Sequence, residues 1–331
     1  EDASDGLYAR LESCRATPGP RNRAALLSVG EWMSSSLGAL YLSQTLDAAW
    51  VDAGDALEVI AEDDPDSQRA WLSARCEAFS DPELESRWSS AGRVLVTQGY
   101  VAATGNGATA LLGRGGSDTS AALLASRLSA AEVEIWTDVP GLFSADPARE
   151  PDALLIRTLN YTEALEMAAS GARVVHPRCI RAAADAGVSI QIRDINRPQF
   201  VGTQIAAASS AVAGEAPVQG IKAVTCQDRM LVVLMENKDI RQQVGFLAWA
   251  FGVFSGLGLS IDLVATSETT TTVAINAVDN HIDVELIDSL SEQLMERCKL
   301  RVYGDCCCVN LVGRGARTAL ARLSPAAAGF D

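Results

Sequence analysis

The run Leu112-Gly113-Arg114-Gly115-Gly116-Ser117-Asp118 joins a β-rich stretch, Ala108 to Leu112, to a helical one, Ser117 to Leu128. No other segment limits the fold as much. Its glycines let the backbone take positive φ and approach a ligand closely, and the helix that follows presents N–H groups with no acceptor inside the helix. Strand, glycine loop and helix together make the geometry of an anion cradle at a sheet edge. The run fits neither the G-x-x-x-x-G-K-[ST] phosphate loop nor the G-x-G-x-x-G dinucleotide fingerprint, so neither chemistry can be borrowed. The plainer alternative is a glycine-rich turn with Ser117 or Asp118 capping the helix. Arg114 argues for a ligand, because a guanidinium in such a loop suits bidentate carboxylate binding.

Around this loop the pattern alternates. Short β-rich runs (Arg93 to Thr97, Ala108 to Leu112, Val133 to Thr137, Val188 to Arg193) are separated by helical ones, the last opened by Pro177 and closed by Gly187. Strand then helix, repeated, predicts βαβ units around a mostly parallel sheet. Upstream, Leu7 to Ala91 reads as mainly helical, and Ala24 to Leu42 as a helix carrying Glu31 on a partly apolar surface. The stretch from Ala206 to Pro217 has linker composition. After it come strand, helix, two strands, helix and strand (Met230 to Tyr303), the βαββαβ order of a ferredoxin-like unit. A further strand from Cys307 to Val312 looks like the opening of a second such unit. The expected boundaries are therefore 1–213, 214–304 and 305–331.

The chain has 331 residues, more than one compact core usually holds. Its 42 acidic and 27 basic side chains give a net charge of −15, which opposes approach to nucleic-acid phosphates or anionic lipid. No apolar run is long enough to span a bilayer. Eight cysteines, including the trio Cys306-Cys307-Cys308, contain no C-x-x-C pair, and only two histidines accompany them. Reduced, mostly buried thiols and no metal site are the expectation. Glu1 is not preceded by an initiator Met, and further sequence is expected at both ends.

Two further segments carry polar groups at strand or helix ends. In Glu134 to Pro147 a strand runs into a polar turn, where open α/β sheets bind ligands; an ordinary turn capped by Asp138 is the alternative. In Gly171-Ala172-Arg173-Val174-Val175-His176-Pro177, His176 reads first as a capping or packing residue.

In this order the phrases Ser-Val-Gly-Glu-Trp-Met (Ser28 to Met33), Val-Thr-Gln-Gly-Tyr (Val96 to Tyr100), Gly113 to Ser120, Trp-Thr-Asp-Val-Pro-Gly (Trp136 to Gly141), Gly171 to Pro177 and Ser260 to Glu268 resemble the aspartate kinases of the amino-acid kinase family. The resemblance covers nearly the whole chain. It implies a three-layer α/β sandwich followed by ferredoxin-like ACT regulatory units. It also implies transfer of the ATP γ-phosphoryl group to the side-chain carboxylate of L-aspartate, with Mg²⁺ on the phosphates, in a cytoplasmic enzyme of amino-acid biosynthesis. Arg114, with Gly115, Gly116 and Ser117, would hold the substrate, and Glu31 would accept its ammonium. Asp118 and Arg173 would serve catalysis, and Thr137, Asp138, Phe143, Arg149 and Arg173 the nucleotide.

In the ACT part, Gly245, Phe246, Leu247, Asp262, Ser267 and Glu268 would bind an amino-acid effector, lysine or threonine, in a homodimer joined through these units. The sequence departs from the family in four places. The opening Lys-Phe-Gly-Gly-Thr-Ser loop is absent from this chain, Arg173 replaces a usual lysine, Phe143 a usual tyrosine, and Arg149 is displaced by one position within Asp146-Pro147-Ala148-Arg149. A non-catalytic amino-acid-binding regulatory subunit is the alternative that shares these residues.

Overall fold

The computed structural model describes residues 3–172, 174–207, 220–236 and 244–314. The chain divides into two compact units, residues up to 223 together with those from 312 on, and residues 224–311.

The first unit opens with α1 (Ala3–Ala16), α2 (Pro20–Leu27) and α3 (Val29–Leu42). The run from Ala24 is two helices rather than one. At the joint, buried Ser28 donates its Oγ–H to Ala25 O, and Arg10 donates to both that carbonyl and the Ser28 hydroxyl. Beyond α3 the expected helix gives way to β1 (Ala48–Trp50), a 3₁₀ turn at Ala53–Asp55, α4 (Gln68–Leu72) and α5 (Pro82–Ser89). The Ala-Ala-Trp of β1 has little strand preference of its own; parallel pairing with β2 (Val94–Val96) decides it.

A hairpin follows, β3 (Val101–Ala103) against β4 (Thr109–Leu111), and leads through the glycine loop into α6 (Gly116–Arg127). Next come β5 (Glu132–Thr137), β6 (Thr158–Asn160), α7 (Tyr161–Ala169), α8 (Pro177–Ala186), β7 (Ser189–Asp194) and β8 (Thr203–Ala206). Their sheet has the order β5-β7-β8-β6. Pairs β5–β7 and β6–β8 are parallel and β7–β8 is antiparallel, so the sheet is mixed but mostly parallel. Ile190, Ile192 and Ile205 are fully buried and pack with Leu123, Met167 and Ile180 of the helices. Gly187, at φ 69°, closes α8 as its sequence position predicts.

The second unit runs β9 (Ala223–Glu236), α9 (Phe246–Gly256), β10 (Leu263–Thr266), β11 (Thr270–Asn276), α10 (Val284–Met295) and β12 (Lys299–Val312). Its sheet order, β10-β11-β9-β12, is that of a ferredoxin-like βαββαβ unit. Two strands were expected near its end, and one is found. Asp305, at φ 51°, kinks β12 without ending it, so Gly304-Asp305 is not a turn. The thiols also differ from expectation: Cys179 is buried, whereas Cys307 is exposed and the others are intermediate. Among the described residues no helix is long and apolar enough to cross a membrane.

Candidate active site

Helix α6 starts at Gly115, whose φ of 64° is left-handed and whose side chain offers no cap. The N–H groups of its first turn are thus not satisfied by a capping side chain, and Ser117 and Asp118 lie inside the helix rather than at its cap. The alternative in which either of them caps the helix is thereby excluded.

The glycines are required by close packing. A Cβ on Gly115 would stand 2.2 Å from His176 Cγ, and one on Gly116 2.5 Å from Tyr100 Cδ2. Residues 98–100 wrap this helix start from the other side. Buried Gln98 donates to Asp52 Oδ1 at 2.6 Å and accepts from Ala53 N–H at 3.2 Å. Gly99 lies close enough to Ser117 that a Cβ would meet its Oγ at 3.0 Å. Tyr100, at φ 70°, donates its N–H to Ser120 Oγ at 3.3 Å. Positive φ is uncommon for an aromatic residue, and such strain gathers at functional sites.

Charge is arranged around the same point. Asp118 Oδ2 accepts the His176 backbone N–H at 3.4 Å. Burial pushes the Asp118 carboxyl up, against the lowering effects of that hydrogen bond and of the imidazole. Burial pushes His176 down, and the neighbouring Arg178 and Arg114 charges add to this while Asp118 opposes it. His176 is the N-cap of α8, its Nδ1 accepting from Arg178 N–H at 3.2 Å. Glu31 is half-buried on α3, and its charge, like that of Arg23, reaches the Tyr100 hydroxyl. Arg114 is exposed at the mouth of the loop.

Residues 114–118 thus meet Tyr100 and His176 at this helix start, two neighbours that the sequence reading did not name as site residues, while Glu31 is tied to the site only through its charge on Tyr100. For His176 a signal was present, in the His-Pro that opens α8; Tyr100 depends on packing against Gly116 that no local motif shows.

Thr137, Asp138, Phe143 and Arg149 form a second set with partners of their own. Thr137 ends β5 and donates its hydroxyl to Asp138 Oδ1 at 3.2 Å. Phe143 bridges to Leu155. Arg149 pairs with Asp146 at 3.7 Å. Arg173 lies outside the described residues.

In the second unit, Gly245 at φ 90° is the exposed N-cap of α9, again without a side-chain cap. Phe246 is a core residue packed on Trp249, and Leu247 is exposed. The Asp262 carboxylate accepts Asn276 N–H at 2.6 Å. Ser267 and Glu268 form the tip of the β10–β11 hairpin, where Ser267 Oγ accepts from Thr270 N–H at 3.0 Å.

A left-handed glycine opening an uncapped helix, flanked by a cation and a carboxylate, leaves N–H groups that suit a small anion. Comparison with known proteins identifies the lineage. The model of the amino acid kinase family matches residues 4–194. Lysine-sensitive aspartokinase 3 of Escherichia coli (strain K12) is 29% identical over 315 residues, 93% of this chain and 67% of that protein. An aspartokinase of Schizosaccharomyces pombe is 30% identical over 277 residues, 77% of this chain and 52% of that protein. Of solved structures, E. coli aspartokinase III in complex with lysine and aspartate superposes with a TM-score of 0.75 at 26% identity, covering 94% of this chain and 67% of that one. The same enzyme with aspartate and ADP gives 0.73 at 27%, covering 94% and 68%. The chain belongs to the amino acid kinase family. It spans about two thirds of the first relative and about half of the second.

Proposed function

We propose that this chain is the aspartate-binding and regulatory part of an aspartate kinase, which phosphorylates the side-chain carboxylate of L-aspartate from ATP. The observation that carries the proposal is the start of α6: an uncapped, left-handed glycine pressed against His176, with Arg114 at its mouth and Asp118 in its first turn. Relatives named as aspartokinases, one of them solved with aspartate and ADP, support it.

Phosphoryl transfer is catalysed by positioning and charge neutralisation, and these residues supply both. Arg114 clamps the substrate α-carboxylate, and Glu31 takes the ammonium. The first-turn N–H groups of α6 receive the acceptor carboxylate or the phosphate oxygens. Asp118 organises cationic groups around the phosphates, and Arg173 serves catalysis. Thr137 and Asp138 at the carboxyl end of β5, with Phe143 and Arg149 from the segment after it, take the nucleotide. These residues fit a phosphate-bearing ligand, since no side chain caps α6 and a Cβ at Gly115 would meet the His176 ring. Mg²⁺ carried by the nucleotide supplies further positive charge.

The second unit senses an amino acid. Gly245 offers helix N–H groups to its carboxylate, and Ser267 and Glu268 offer acceptors to its ammonium. The lysine-bound relative favours lysine, and the effector site is completed by a second copy of the chain.

Calorimetry with the chain and L-aspartate, L-glutamate and L-lysine tests the binding roles. Aspartate binding lost in Arg114→Ala and Glu31→Ala, with glutamate bound more weakly, is expected; equal binding of aspartate by wild type and both variants refutes the assignment. Aspartate-dependent ADP release by the full-length protein tests turnover.

A further inference from the structure

Three ligand-type atoms converge on one face of the second unit. Cys226 and Asp228 sit two residues apart on β9, so their side chains leave the same face of the strand. Cys307 lies opposite them on β12, the neighbouring strand. Cys226 Sγ is 2.7 Å from Cys307 Sγ and 3.7 Å from Asp228 Oδ1. All three donor atoms lie within 4.8 Å of one another. Left-handed backbone at Arg229 (φ 57°) and Asp305 (φ 51°) flanks the cluster on both strands, and such departures from the pleat re-aim neighbouring side chains. The cysteine trio is divided in purpose. Cys307 turns its sulfur to Cys226, whereas Cys306 Sγ approaches Gly304 O at 3.6 Å and Cys308 Sγ approaches Asn310 Oδ1 at 3.6 Å.

We propose that Cys226, Asp228 and Cys307 form a binding site for a thiophilic divalent cation of the zinc class, with water completing the shell. Two thiolates and one carboxylate select zinc-like ions over Mg²⁺ or Ca²⁺, which take oxygen ligands. Zinc–sulfur bonds of about 2.3 Å in a tetrahedral shell place the sulfurs about 3.8 Å apart. The pair therefore opens by about 1 Å on binding, which a χ1 rotation of exposed Cys307 accommodates. Each thiol releases its proton to solvent as its sulfur–metal bond forms, so affinity rises with pH. The ion clips β9 to β12, the first and last strands of the unit. The two cysteines are 81 positions apart, and for that reason no spacing motif betrays the site.

The test uses the whole chain, reduced with a phosphine and freed of metal. Titration with Co²⁺ should give a thiolate-to-cobalt charge-transfer band saturating at one ion per chain, and Zn²⁺ should displace it and raise Tm. Cys226→Ser and Cys307→Ser should each weaken binding roughly tenfold or more, Asp228→Asn should weaken it less, and Cys306→Ser should leave it unchanged. Circular dichroism checks that each variant folds; Cys307→Ser, at an exposed position, is decisive if Cys226→Ser does not. A band that survives Cys307→Ser, or no band at all, overturns the proposal. So does a reduced chain that takes no metal but joins Cys226 to Cys307 as a disulfide when a peroxide removes two electrons and two protons from the pair.

Discussion

Gly115 and His176 are in such close contact that a single added carbon on the glycine would stand 2.2 Å from the imidazole Cγ. The loop that opens α6 and the residue that caps α8 are thereby fixed to each other, although they are distant in sequence. Gly115→Ala meets two obstacles, the ring and the positive φ of 64°, and should lower stability by about 1–3 kcal/mol. His176→Ala in the same chain should recover the steric part and leave the conformational part. Denaturant unfolding of the two single variants and the double variant reads this as a coupling energy.

Asp118→Asn separates function from stability. Burial raises the carboxyl's pKa in the fold, so its charge is held there at some cost. A group whose folded pKa lies above its unfolded value contributes stability below the unfolded value and loses it as pH rises through the folded one. At neutral pH the amide should therefore keep or raise Tm while abolishing aspartate-dependent ADP release by the full-length protein. Falling Tm with intact turnover would contradict both roles.

His176 has the opposite sign. Its folded pKa lies below the ordinary 6.5, through burial first and then Arg178. As pH falls below about 6.5 the unfolded chain takes up a proton that the folded chain resists, and stability drops until the depressed folded value is passed. His176→Asn, which keeps an N-cap acceptor, should flatten that part of the pH profile of Tm. An unchanged profile would remove His176 as its source.

Lys222 and Glu163 form an ion pair at 2.8 Å, with side chains 19% and 5% exposed. Glu163 also completes the capping box of α7 with Asn160. Lys222→Met leaves a buried carboxylate without its cation and should cost about 3–5 kcal/mol, read by urea unfolding. A cost below about 1 kcal/mol would place the pair among weak surface bridges.

The sequence was most legible where local chemistry and tertiary structure agree. Pro177 and Gly187 bound α8, and the glycine loop sits between β4 and α6, because each position demands a backbone that few residues supply. Strands β1, β3, β6 and β8 were missed. Each has three or four residues, too few to show a period, and each owes its existence to a partner remote in sequence or across a hairpin. In the site, Arg114 and Asp118 could be named from the loop. Tyr100 could not, because its part depends on packing against Gly116. The expectation of mostly buried thiols failed for a similar reason at Cys307: three cysteines in a row give no alternation from which to read which face of the strand meets solvent.

Ala223 and Val312 both belong to the core of the first unit, and Lys222 N–H donates to Val312 O at 2.8 Å. The whole of the second unit is thus threaded between two halves of one clasp. On the ribosome, residues 224–311 must emerge before that clasp can fasten, so the first unit closes only after the second has been made.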